Sequence, residues 1–220
     1  LITCSGKAQI EYLKKFIDAK KLAYLPLGVD TKAFLPSRNK NKRDRNLVIC
    51  VGNNRRDFKT LQKIYSILKI QRPNVKLKLA GSLQGKEFFS DHPEVEFLPF
   101  LNESKFMNLY HEASLLILPL LEGGSSQTLN EALSSGLPVL TNKFPNLIDY
   151  TNTDGVMQFT SGDYHGMAHA CLKLLKDESE LISMSNAARS HVLKYDYSHI
   201  KERLIDIYAN YLGFEIMEGG

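Results

Sequence analysis

The sequence predicts a doubly wound α/β domain, with a parallel sheet and a helical C-terminal tail. Three observations predict it. Short apolar runs without strict alternation recur from residue 47 to residue 140, the pattern of strands covered on both faces. Helix-spaced apolar stripes separate them. After about residue 161 the strand pattern gives way to helical stripes alone.

Taken in order, Leu1-Ile2-Thr3-Cys4-Ser5 reads as the end of a buried strand. Residues 1–20 are therefore expected to be the remnant or seam of a missing N-terminal domain. Residues 21–195 are expected to form the α/β domain. Strands are predicted at residues 47–51, 75–80, 95–98, 115–118 and 137–140. Gly52, Gly81, Pro99 and Pro119 close the first four, and Gly136 precedes the fifth. Leu61, Ile64, Tyr65 and Leu68 recur at helical spacing, and Pro73 ends that helix by removing a donor. Phe106, Leu109 and Tyr110 mark a second helix, and Leu129, Ala132 and Leu133 a third. Stripes on Met167/Cys171/Leu174, Leu181/Met184/Ala188/Val192 and Ile200/Leu204/Ile207/Tyr208/Tyr211 predict three more, with Gly213 as a stop. Residues 196–220 are expected to carry a helix crossing toward the missing N-terminal domain, with part of its stripe exposed.

Composition narrows the class. The chain has 220 residues, 43% of them hydrophobic, enough for one well-buried core. No apolar run approaches the ~18–20 residues that span a bilayer. Three widely spaced cysteines without a Cys-x-x-Cys pair support neither a zinc ribbon nor a redox motif, and a reducing, cytoplasmic setting is expected. Net charge is +4, and residues 38–45 hold five basic residues and one acidic. No aromatic side chain interleaves that run to stack on bases, so a solvated loop is the reading and no nucleic-acid partner is expected. Gly-x-Gly-x-x-Gly, Walker, His-Glu-x-x-His and Gly-x-Ser-x-Gly motifs are absent, and the six histidines do not cluster. No metal site is expected.

The most informative segment is Leu120-Leu121-Glu122-Gly123-Gly124-Ser125-Ser126-Gln127-Thr128-Leu129-Asn130-Glu131. A strand ends, a Gly-Gly-Ser-Ser turn follows and a helix begins. Glycine permits close approach of the backbone to a ligand, and Ser125 or Ser126 can cap the helix. The exposed amides there, with the helix dipole, favour an anion such as phosphate. Glu131, about one and a half turns in, can accept hydrogen bonds from ribose hydroxyls. The alternative is a structural cap with a dipole-favoured glutamate and no ligand.

Continuing, Glu131-Ala132-Leu133-Ser134-Ser135-Gly136-Leu137-Pro138-Val139 resembles the donor-site signature of retaining glycosyltransferase family four, which has the GT-B fold of two Rossmann-like domains. Leu25-Pro26-Leu27-Gly28-Val29-Asp30 with Phe34 and Pro36 resembles the start of that family's C-terminal domain. Gly52 through Arg56-Asp57-Phe58-Lys59 resembles its first strand and basic phosphate loop, and Tyr195-Asp196-Tyr197-Ser198 the turn before its last helix. The ordered set covers nearly the whole chain. Eight residues separate Glu122 from Glu131, one more than in the family pattern, and Gly52-Asn53 stands where the family has Gly-Arg.

The resemblance implies a donor-binding domain of a hexosyltransferase that moves a sugar from a nucleotide-sugar to an acceptor with retention. It implies no cofactor, the nucleotide-sugar being a substrate, and a preceding N-terminal domain that binds the acceptor. Arg56, Lys59 and Glu122 are the implied catalytic residues. Gly123, Gly124, Ser125, Ser126, Gln127 and Glu131 are implied to bind the donor, with Leu98 and Phe100 at the base. Peripheral membrane association of the full-length protein and self-association of this chain stay open, as does a non-catalytic nucleotide-binding or interaction module of the same fold.

Overall fold

The computed structural model describes residues 1–37, 43–81 and 83–213. Most of the basic run, residues 38–42, and the last seven residues, 214–220, lie outside the described residues.

A small N-terminal unit comes first. Strand β1 (Ile2–Cys4) pairs in parallel with β2 (Leu22–Tyr24), and α1 (Lys7–Leu13) connects them. The main sheet follows, six parallel strands in the order β5-β4-β3-β6-β7-β8. These are β3 (Asp44–Val51), β4 (Lys76–Ala80), β5 (Glu96–Leu98), β6 (Ala113–Leu118), β7 (Val139–Asn142) and β8 (Val156–Phe159). Helices α2 (Phe58–Gln71), α3 (Glu103–Glu112), α4 (Gln127–Ser134), α5 (Ile148–Thr151), α6 (Tyr164–Lys176) and α7 (Glu178–Val192) cover it, and α8 (Tyr197–Leu212) ends the described chain. The doubly wound parallel architecture with a helical C-terminal part is thus present.

The pleat explains the apolar runs. Leu47, Ile49 and Val51 point into one core with Tyr110, Leu129, Leu133 and Val192. Val48 and Cys50 point into the other with Leu61, Ile64, Leu68 and Cys171. Successive side chains of a strand alternate faces, so a strand between two helix layers must be apolar throughout. Truncating a side chain such as Ile49, fully buried, to alanine is expected to destabilise by about 2–5 kcal/mol.

Side chains cap the helices. Asp57 accepts from Thr60 N at the start of α2, and Asn102 from Lys105 N at α3. Ser126, not Ser125, caps α4, accepting from Leu129 N at 3.4 Å. Asp196 caps α8, and its carboxylate also accepts from the Thr31 amide and hydroxyl. Hydrogen bonds from Ser198 and Thr31 hold that carboxyl well below its ordinary value.

The basic run differs from its reading as a solvated loop where it is described. Asp44 and Arg45 begin β3, and the half-buried Arg43 donates from its guanidinium to the carbonyls of Ala113, Ser135 and Gly136. Strand β8 carries no continuous apolar run, because only Val156 in it is buried.

Tyr150 fastens the N-terminal unit to the domain. Its hydroxyl donates to Ser5 O at 2.5 Å and accepts from Leu27 N at 2.9 Å. The backbone of Val29 exchanges hydrogen bonds with Tyr195 and Tyr197. Helix α8 then runs beside β2, where Arg203 donates to Tyr24 O and lies over the Tyr24 ring. Ile205, Tyr208 and Tyr211 on α8 are exposed.

Candidate functional site

Strand order reverses between β3 and β6. Their connections leave in opposite directions, so a crevice opens outside their carboxyl ends, where ligands of doubly wound sheets bind. Two loops line it, residues 52–57 after β3 and 119–126 after β6.

Gly52 turns the chain out of β3 at φ +82°. A Cβ there would sit 2.8 Å from Arg56 Nη2, so glycine makes room for that side chain. Arg56 folds back under the loop. It donates from Nε to Val51 O at 2.8 Å, from Nη1 to Asn54 O at 2.9 Å and from Nη2 to Thr128 Oγ1 at 3.2 Å. Burial lowers its pKa.

The two loops are zipped together. Asp57 N donates to Pro119 O at 2.9 Å, and Leu121 N to Arg55 O at 3.0 Å. Arg55 takes a left-handed backbone conformation, φ 59°, uncommon for a side chain of its size. Its Nε pairs with Glu122 Oε1 at 3.0 Å.

Gly124 and residues 125–128 complete a cleft of about 200 Å³ lined by Arg55, Arg56 and Glu122. The glycines have distinct roles. A Cβ on Gly123 would meet Phe144 Cβ at 2.2 Å, so the close approach there is within the protein, whereas Gly124 faces only Arg55 Nη1 at 3.0 Å. Ser125 Oγ lies 2.7 Å from Ser5 Oγ, so the N-terminal unit touches this loop. Helix α4 points its amino end, the positive end of its dipole, at the cleft, a setting that favours anions.

The remaining predicted residues lie around the cleft. Glu131 stands behind the loop, where its Oε2 accepts from the Tyr110 hydroxyl at 2.9 Å. Gln127 opens α4 and lines the cleft. Lys59 is exposed in the first turn of α2 and is not part of the lining. Leu98, half-buried at the end of β5, accepts from Gly81 N through its carbonyl. Phe100 is 93% exposed. Two larger clefts, of about 390 and 550 Å³, lie elsewhere. Position at the crossover and a lining that joins two arginines to a helix amino end, rather than size, single out the smaller one.

Sequence reasoning missed Arg55, Thr128, Tyr110 and Ser5. Arg55 sits beside the chosen Arg56 with no local signal to tell them apart. Ser5 is 120 residues from its partner.

Residues 32–191 match the family model described as glycosyl transferases group 1. The chain belongs to that family. No curated protein matches the sequence. Among solved structures, sucrose-phosphate synthase from Thermosynechococcus elongatus is similar over 96% of this chain and 58% of its own, with 18% identity and a TM-score of 0.80. Anabaena HepE, solved in complex with UDP and glucose, is similar over 95% of this chain and 62% of its own, with 14% identity and a TM-score of 0.77. The C-terminal domain of the group 1 glycosyltransferase LpcC from Francisella tularensis is similar over all of its length and 77% of this chain, with 13% identity and a TM-score of 0.64. At these identities the likeness is one of fold, a Rossmann-like domain of the GT-B type. The chain spans about three fifths of the two larger structures.

Proposed function

We propose that this glycosyltransferase domain is the donor-binding half of a retaining hexosyltransferase akin to family four. It would hold a nucleotide-sugar while a preceding N-terminal domain presents the acceptor. The observation that carries the reading is the cleft at the crossover of β3 and β6. There the amino end of α4, Arg55 and Arg56 line one gap of about 200 Å³.

That arrangement suits a leaving diphosphate. Charge builds on the phosphate oxygens as the glycosidic bond breaks, and oriented amides with fixed cations stabilise it without reorganising. Amides of residues 124–126 would meet the phosphates, Glu131 the ribose diol and Phe100 the base. Arg56, and second to it Lys59, are the cations the resemblance implies, and Glu122 would face the sugar.

Calorimetric titration of the chain with UDP, GDP and ADP tests the reading, with binding to at least one expected. Absence of binding to all three would sink it. In the full-length protein, the anomeric configuration of the product decides retention, and turnover in chelator decides metal independence. Donor binding without turnover over a broad acceptor screen would instead mark a non-catalytic module.

A further inference from the structure

We propose that Arg55, rather than Arg56, is the cation that receives the donor diphosphate, and that Glu122 is the counter-ion the diphosphate displaces. The inference rests on the reading of the cleft as a nucleotide-sugar site.

Arg56 is already committed. Nε and both terminal nitrogens of its guanidinium each donate to a protein acceptor, two of them the backbone carbonyls of Val51, the last residue of β3, and of Asn54 in its own loop. Turning it toward a ligand would strip Val51 O and Asn54 O of these donors. Arg56 therefore braces the loop.

Arg55 is placed differently. The bond from Leu121 N to Arg55 O and the bridge between Arg56 and Leu120 hold the left-handed turn. That turn brings the guanidinium to Gly124, where a Cβ would lie 3.0 Å from Nη1. The side chain thus stands over the backbone expected to face the phosphates. Only Glu122 pairs with its charge among the described residues.

That pair is built to exchange. Both side chains are about half exposed, so breaking it and solvating Glu122 is easy. A diphosphate offers several charged oxygens, and guanidinium binds such groups through two parallel hydrogen bonds. The same diphosphate repels the Glu122 carboxylate. Donor entry and release of Glu122 are then one event.

The test is calorimetric titration of the chain and its variants with UDP and GDP at low salt. Arg55→Ala is expected to weaken binding tenfold or more, as loss of a charged hydrogen bond does, and Arg55→Lys less so. Glu122→Gln is expected to tighten binding a few-fold, and to do so less in the Arg55→Ala background, because the competitor acts through Arg55. Thermal melts of Arg55→Ala matching wild type separate lost affinity from lost fold. If wild type binds and Arg55→Ala binds equally, the assignment of Arg55 fails while the donor reading stands. If Glu122→Gln has the same effect in both backgrounds, Glu122 acts by repulsion alone and the counter-ion role fails. If wild type binds neither nucleotide nor ADP, the donor reading itself fails and this inference with it.

Discussion

The Tyr110 hydroxyl donates to Glu131 Oε2 at 2.9 Å, joining α3 to α4 behind the cleft. Tyr110 is fully buried, wedged edge-on against Phe34 and Phe106. Glu131 is thereby held at one oxygen.

Two opposing effects of Glu131→Gln follow. Burial raises the Glu131 carboxyl above its ordinary value, against the pull of the Tyr110 bond. The folded state therefore holds the proton more tightly than the unfolded state. The associated stability is present at low pH and is lost as pH climbs out of the ordinary carboxylate range through the folded value. Glutamine keeps the Tyr110 bond without the charge. The variant is expected to melt at or above the wild-type temperature at neutral pH, with a flatter profile from about pH 4 upward. It is also expected to bind UDP about tenfold more weakly, and to lose less affinity for 2′-deoxy-UDP. Equal UDP affinity for both proteins would leave α4 a structural cap and no more.

Phe100 separates binding from folding more cleanly. A phenylalanine that is 93% exposed contributes little to the core. Phe100→Ala should leave the melting temperature unchanged, within about 0.5 kcal/mol of stability. Loss of base stacking should weaken nucleoside diphosphate binding by about 1 kcal/mol, or roughly fivefold. Inorganic pyrophosphate is the control, and its affinity should not move. Unaltered UDP, GDP and ADP affinities would remove Phe100 from the site.

The glycine pair makes a local test of the loop. Gly123→Ala drives a Cβ into Phe144, whose own Cβ lies 2.2 Å away. A destabilisation of about 1–3 kcal/mol is expected from that overlap. Gly124→Ala meets only the tip of Arg55, a flexible side chain, and should fold like wild type. Chemical denaturation of the two variants checks the contrast, and equal stability would mean that Phe144 yields.

Arg189 supports the site from behind. Its Nη1 donates to Ser134 O, Ser134 Oγ and Phe34 O, and its Nη2 to Thr31 O. It thus ties α7 to the end of α4 and to the segment entering the domain. Arg189→Ala takes the guanidinium donors from Ser134 O and Thr31 O, while Phe34 O keeps the Ser134 hydroxyl, and should destabilise by about 2 kcal/mol, lowering the melting temperature by roughly 4–8 °C. Arg189→Lys, with one point charge instead of a fork, should recover only part of this. A melting temperature unchanged by alanine would show that water replaces the clasp.

Much of the fold was legible because burial on both faces leaves its mark on consecutive residues. Val48 and Cys50 must be apolar for one helix layer, and Leu47, Ile49 and Val51 for the other. An edge strand is under no such demand, so β8, with Met157 exposed and Gln158 half-buried, stayed hidden. The loop before α4 was legible for a local reason too, since Gly-Gly-Ser-Ser before a helical stripe is a turn and a cap within a few residues.

The sequence alone therefore determined the parallel α/β class, the place of the helix start after β6 and the carboxylate behind it. Only the tertiary structure decided which of two adjacent arginines is bonded back onto the chain around it and which pairs with Glu122. Their side chains are chemically identical, and what distinguishes them is a backbone sign, set when Leu121, from the loop after another strand, bonds Arg55 O. It likewise decided that Ser5 touches Ser125 and that Gly123 serves Phe144. Propensity and periodicity act over one or two turns of chain, whereas these choices were made by contacts between segments brought together only when the sheet forms.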